Sequence, residues 1–181
     1  MRGEAVRVAF GGFALGPVDV ALTAGRITAF VGPNGSGKTT LLKALGRLRR
    51  PDGGEVLLDG ASIASMSTRE VARRLAFLPQ SVAAPPGLTV VELVEMGRYP
   101  HRHRGRVDQA ADREAVAWAM ALTELEALAD RPVDTLSGGE RQRAWIAMTL
   151  AQRTGVLLLD EPTSFLDIRH QIDTLRLVRR L

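Results

Sequence analysis

The eight residues Gly32–Thr39, GPNGSGKT, constrain this chain more than any other stretch. They fit the pattern G-x-x-x-x-G-K-[ST] in full, follow the apolar run Ile27–Val31 that reads as a strand, and open a segment that reads as a helix. That strand–loop–helix context is what marks a phosphate loop. Gly35 and Gly37 let backbone amides turn toward phosphate oxygens, and the helix start adds positive potential. Lys38 brings a point charge to the outer phosphates, and the Thr39 hydroxyl suits Mg²⁺. MgATP bound at this loop is the first expectation.

At 181 residues and 19.5 kDa the chain has the length of one ordinary domain. Apolar residues at 45% and charged residues at 24% match soluble usage, and no stretch approaches the roughly eighteen consecutive apolar residues of a membrane-spanning helix. The first ten residues hold no signal-peptide pattern. With no Cys, disulfides and thiolate metal sites are excluded. The net charge of +4 and pI near 10.5 raise nucleic acid as a partner. Against that, Lys38 and Lys43 are the only Lys, and the Arg are spread along the chain apart from Arg98, Arg102, Arg104 and Arg106. A solvated Arg-rich surface is the reading adopted, with no nucleic-acid partner.

Short apolar runs at Val6–Phe10, Ile27–Val31, Leu75–Leu78 and Val156–Leu159 read as strands, and PDGGEVLLDG between Pro51 and Gly60 reads as a Gly-rich turn before a short strand. Ser67 with Glu70 is spaced as a capping box. Helical spacing covers Thr89–Met96, Asp108–Leu128, Gly139–Arg153 and Ile168–Leu181, the last with apolar Ile172, Leu175 and Val178. Strands alternating with helices predict an α/β fold with a mostly parallel, covered sheet.

Two further segments carry chemistry. VLLLDEP, Val156–Pro162, puts two carboxylates at the carboxyl end of an apolar strand, where ligand sites of parallel sheets lie. Asp160 suits Mg²⁺, and Glu161 suits the positioning of an attacking water; taken alone, the pair also reads as a strand-ending turn. LSGGERQR, Leu136–Arg143, sets Ser137, Gly138 and Gly139 before a long helix, a start that can hold a phosphate or simply be an ordinary cap. A second phosphate-reading helix start makes sense if it serves another copy.

Together GPNGSGKTT, Gln80 after LAFLP, LSGGERQR, LLLDEP and SFLD (Ser164–Asp167) occur in the order and spacing of the ATP-binding subunits of ABC transporters, which the chain resembles along essentially its whole length. GRYPH (Gly97–His101), RQRAWIAM (Arg141–Met148) and FLDIRHQI (Phe165–Ile172) are similar to the subgroup serving iron–siderophore, haem and cobalamin importers, closest to ferric siderophore uptake.

The resemblance implies a P-loop NTPase core in residues 1–86 and 136–181, with a small antiparallel β subdomain and an inserted helical subdomain at 87–135 that receives the permease. It implies that Gly32, Pro33, Asn34, Gly35, Ser36, Gly37, Lys38, Thr39 and Thr40 hold the nucleotide, and that Phe10, ahead of Phe13, stacks on adenine; a core Phe is the alternative for both. Thr39, Gln80 and Asp160 fall at the metal, with Lys38, Gln80 and Glu161 as catalytic residues and Glu161 as general base. Ser137, Gly138 and Gly139 match the signature that closes on ATP of the opposite subunit, and Asp167 the residue that bridges two subunits. The implied cofactors are ATP and Mg²⁺. The implied partners are a second copy in a homodimer, transmembrane permease subunits and, indirectly, a substrate-binding protein, at the cytoplasmic face of the membrane.

Two departures qualify this. Glu140 stands where the signature usually has glutamine, with little effect expected because amides do the phosphate work. None of His101, His103 and His170 follows an apolar strand beyond Asp167, so none matches the family's switch histidine, and His170 reads as a helix surface residue. A cassette truncated at its C-terminus, binding ATP weakly and turning it over poorly, is the expectation. Two rivals stand beside energised import: a soluble ABC ATPase of DNA repair or translation, and an ATP-binding fragment without turnover.

Overall fold

The computed structural model describes residues 1–80, 85–102, 108–164 and 166–181. The sequence-based assignments to Arg104, Arg106, His103 and Phe165 lie outside the described residues. The chain forms two compact units, Met1–Val71 and Ala72–Leu181.

In the first unit, β1 (Arg2–Phe10) and β2 (Phe13–Ala21) form an antiparallel hairpin that pairs Phe10 with Phe13 across Gly11-Gly12. β3 (Gly53–Leu58) lies on the other side of β1, and the two-residue β4 (Ala61–Ser62) completes an antiparallel sheet of order β2-β1-β3-β4. Val6, Val8, Val56 and Leu58 are buried, as are Leu41, Ala44 and Leu45 of α1 (Lys38–Leu45), which packs on β1. Each fully buried aliphatic side chain contributes about 1.5–3 kcal/mol relative to exposure.

α2 (Thr68–Arg74) crosses the division between the units in sequence, and the Ser67 hydroxyl accepts from the Glu70 amide at 3.2 Å, as its spacing predicts. In the second unit, β5 (Leu75–Leu78) and β6 (Val156–Leu159) run parallel, in register from Leu75 opposite Val156 to Leu78 opposite Leu159. Between them α3 (Val90–Met96), α4 (Gln109–Leu122) and α5 (Gly138–Ala151) share one core with Leu93, Val94, Ala119, Met120, Ile146 and Ala147 at its centre. Alanines at 144, 147 and 151 on α5 are fully buried and let the neighbouring helices approach closely. α6 (Ile168–Arg180) ends the chain. No helix among the described residues is long and apolar enough to cross a membrane.

Four expectations need correction. Ile27–Val31 is not a strand, and Ile27 and Val31 are 64% and 93% exposed. A strand exists by its ladder hydrogen bonds, and none of the four strands of the first unit's sheet takes this run as a neighbour. Parallel pairing is confined to β5–β6, and the larger sheet is antiparallel throughout. The helix expected over Asp108–Leu128 stops at Leu122, where Glu124 takes a left-handed φ of 56°, and a 3-10 turn, Glu126–Leu128, follows. On α6 the apolar positions Ile172 and Leu175 point outward, 43% and 57% exposed, while Thr174 and Leu177 are buried.

Candidate functional site

The phosphate loop belongs to the first unit. Its last glycine, Gly37, is the N-cap of α1 with φ 94°, and no side chain caps the helix, so the first-turn amides keep their donors for an anion. A Cβ at Gly37 would stand 2.9 Å from Leu15 Cδ1 and 3.0 Å from Phe13 Cζ, so both the backbone conformation and the space demand glycine. Lys38 donates from Nζ to the carbonyls of Gly32 at 2.9 Å and Pro33 at 2.8 Å, curling the loop over its own start. The Ser36 amide closes a turn onto the Pro33 carbonyl at 3.3 Å, across Asn34 and Gly35. An ammonium has three donors, and exchanging loop carbonyls for phosphate oxygens is the motion nucleotide entry asks of it. Thr39 and Thr40 lie in the first turn of α1.

Phe10 and Phe13 flank the hairpin turn with ring centroids 5.4 Å apart. Phe10 is 45% exposed and therefore not a core residue; the Arg49 guanidinium sits 4.0 Å over its ring. One π face is thus taken by a cation.

The second unit places Gln80, Asp160 and Glu161 at the carboxyl ends of β5 and β6. Asp160 is buried, and its amide continues the parallel ladder to the Leu78 carbonyl at 2.9 Å. Glu161 is exposed in a left-handed conformation, φ 50°. Its Oε2 accepts from Gln80 Nε2 at 2.7 Å and from Ser164 Oγ at 2.7 Å. The sequence assigned roles to Gln80 and Glu161 but not this direct bond, and gave Ser164 none; an oxygen-bearing side chain three residues after Glu161 was the available signal.

α5 opens on a complete capping box. The Glu140 amide donates to Ser137 Oγ at 3.3 Å, while Glu140 Oε2 accepts from the Ser137 amide at 2.9 Å and from the Ser137 hydroxyl at 2.7 Å. These bonds, the hydroxyl first, hold the Glu140 carboxyl below its ordinary value. Glu140 is therefore a structural cap of the signature start.

Asp167 is the N-cap of α6, accepting from the His170 amide at 2.9 Å and from His170 Nδ1 at 2.8 Å. Those two bonds, the backbone one first, lower its carboxyl below the ordinary 3.8. His170 stands on α6 with 33% of its side chain exposed, as its reading as a helix surface residue expects, and its ring also lies against Gly139.

Arg98 is also not a solvated surface charge. It is buried, with Nε 2.8 Å from Asp112 Oδ1 and a terminal nitrogen donating to the Ala151 carbonyl at 2.8 Å. His101, in the 3-10 turn Tyr99–His101, lies with Nε2 2.8 Å from the Gln152 carbonyl.

Thr39 in the first unit, and Gln80 and Asp160 in the second, each carry an oxygen of the hard kind that Mg²⁺ takes. No group of three or more His, Cys, Asp or Glu that could hold a metal ion exists among the described residues.

Comparison with known proteins matches residues 15–164 to the family described as ABC transporter. A siderophore transport system ATP-binding protein of Bacillus subtilis is 54% identical over 164 residues, 91% of this chain and 60% of the relative. The ferric enterobactin transport ATP-binding protein of Escherichia coli is 50% identical over 182 aligned residues, 100% of this chain and 67% of the relative. The chain spans about three fifths of the length of the Bacillus relative. Among solved structures, an inward-facing metal-chelate type ABC transporter aligns with a TM-score of 0.80 at 32% identity, over 98% of this chain and 65% of that one. A dimeric, post-hydrolysis ATP-binding cassette bound to ADP and Pi aligns with 0.80 at 29%, over 99% and 82%.

Proposed function

The chain belongs to the ABC transporter family, and we propose that it is the ATP-binding part of a subunit that energises import of a ferric siderophore or a related iron, haem or cobalamin chelate. The observation that carries the ATP reading is the phosphate loop itself: an uncapped helix start behind left-handed Gly37, with Lys38 poised on loop carbonyls. The substrate class rests on the siderophore transport relatives, each about half identical to this chain.

In this reading Gly32–Thr40 hold the nucleotide and Phe10 meets the adenine. Thr39, Gln80 and Asp160 supply ligands to Mg²⁺, which when bound neutralises phosphate charge. Glu161 is the general base, held in place by Gln80 and Ser164. Ser137, Gly138, Gly139 and Asp167 serve a second copy, and the 87–135 segment receives a permease, which keeps the chain at the cytoplasmic face of the membrane. A substrate-binding protein contributes indirectly. Closure of the pair is a ligand-driven population shift.

Uptake of radio-iron loaded on a siderophore, in cells whose only copy of this gene carries Lys38→Ala or Glu161→Gln, tests the reading. Loss of uptake in both supports it. Undiminished uptake in both refutes it.

A further inference from the structure

The second glycine of the signature has no room for a side chain, and His170 is what occupies the room. A Cβ built on Gly139 would overlap His170 Cδ2 and stand 2.6 Å from Cγ and 2.7 Å from Nε2. Real Cβ atoms do not come so close to a ring, so the imidazole fills the space that a side chain at 139 would need. Leu166 approaches the neighbouring glycine more loosely, its Cδ2 lying 3.9 Å from a Cβ on Gly138.

The ring is not free to swing aside. Nδ1 lies 2.8 Å from both Asp167 carboxylate oxygens, and a carboxylate only accepts, so Nδ1 carries the proton and donates. The same carboxylate takes the His170 amide at 2.9 Å as the N-cap of α6. Turning the ring out would break a charge-assisted bond at the helix start that the cap depends on.

We propose that His170 is a positioning residue, a spacer that fixes the Ser137–Gly139 start of α5 against Asp167, so that the two stretches assigned above to the second copy are held as one piece. The role of the second copy rests on the proposed function; the His170–Gly139 contact does not. Glycine at 139 is then demanded by a histidine of the same chain, not only by the approach of a phosphate.

A double-mutant cycle separates these causes. Alanine is a better helix former than glycine, so with the ring gone Gly139→Ala stabilises α5, and with the ring present it clashes. Thermal unfolding of the chain is therefore expected to show Gly139→Ala lowering Tm by about 2–4 °C or more alone, and raising it in the His170→Ala background. The same sign in both backgrounds overturns the proposal. If Gly139→Ala alone does not fold, a folded Gly139→Ala/His170→Ala chain supports it and an unfolded one overturns it.

The positioning role has its own readout in MgATP-driven pairing of two chains, followed by sedimentation. His170→Ala is expected to raise the pairing midpoint about tenfold, well beyond its effect on ATP affinity, and His170→Gln, whose amide can donate to Asp167, to recover much of it. An unchanged midpoint overturns the positioning role. Failure of the unsubstituted chain to pair with MgATP at any concentration contradicts the second copy instead, and the Tm cycle still decides the contact.

Discussion

Gln80 and Glu161, eighty-one positions apart in sequence, share a hydrogen bond of 2.7 Å from the Gln80 amide to Glu161 Oε2. They meet because β5 and β6 run parallel in register, so residues just past Leu78 and Leu159 emerge side by side. The bond holds the carboxylate in one orientation before any water or phosphate arrives, which is what a base that must position a water needs.

Glu161→Gln retains shape and removes the carboxylate proposed as the base. ATP binding by this variant is expected to survive, with turnover reduced by about 10²–10⁴-fold in a phosphate-release assay. Turnover surviving the change contradicts the assignment.

Glu161 also sits at φ 50°, a conformation that costs a residue with a Cβ roughly 1 kcal/mol or more. Glu161→Gly relieves that strain while losing the carboxylate. Chemical denaturation is expected to show stability unchanged or slightly raised, beside abolished hydrolysis; a clear loss of stability would show that the bonds to Gln80 and Ser164 outweigh the strain.

Arg98 is buried and Asp112 half-buried, at 7% and 13% side-chain exposure, whereas Arg176 and Asp173 are exposed at 75% and 43%. Arg98→Ala removes the nearer of the two cations at Asp112, leaving Arg102 at 3.5 Å, and takes the donor from the Ala151 carbonyl, and is expected to cost about 1.5–3 kcal/mol in urea unfolding. Arg176→Ala is expected to cost less than about 1 kcal/mol. Equal costs would mean that burial does not set the worth of these pairs.

His101 has its pKa lowered below the ordinary 6.5, first by burial, with the Arg98 and Arg73 cations adding to it and the Gln152 carbonyl and Asp112 opposing. The folded chain therefore favours the neutral ring. As pH falls below 6.5 the unfolded chain binds the proton first, so stability is complete above that value and declines through the folded group's lower pKa. The urea midpoint is expected to fall between pH 7.5 and 5.5, and to fall less in His101→Gln, whose amide can still donate to Gln152. An identical pH dependence in the two chains would remove His101 from the account.

What could be read from the residues follows from how local each cause is. The bounds of β5 and β6 match their apolar runs, and the bond from the Glu70 amide to Ser67 follows a capping-box spacing within four residues. Gly32–Thr39 stands out because glycines, a cation and a hydroxyl all fall within eight consecutive positions. Ile27–Val31 has an equally apolar sequence but depends on a ladder partner elsewhere, which periodicity does not report. The outward turn of Ile172 and Leu175 and the contact of His170 with Gly139 are likewise tertiary, set by what packs beside α6 and α5.

The most direct test of the central claim is calorimetric titration of the chain with MgATP. Saturable binding that is lost or weakened at least about tenfold by Lys38→Ala is predicted. No binding by the unsubstituted chain, or binding that Lys38→Ala leaves unchanged, would contradict it.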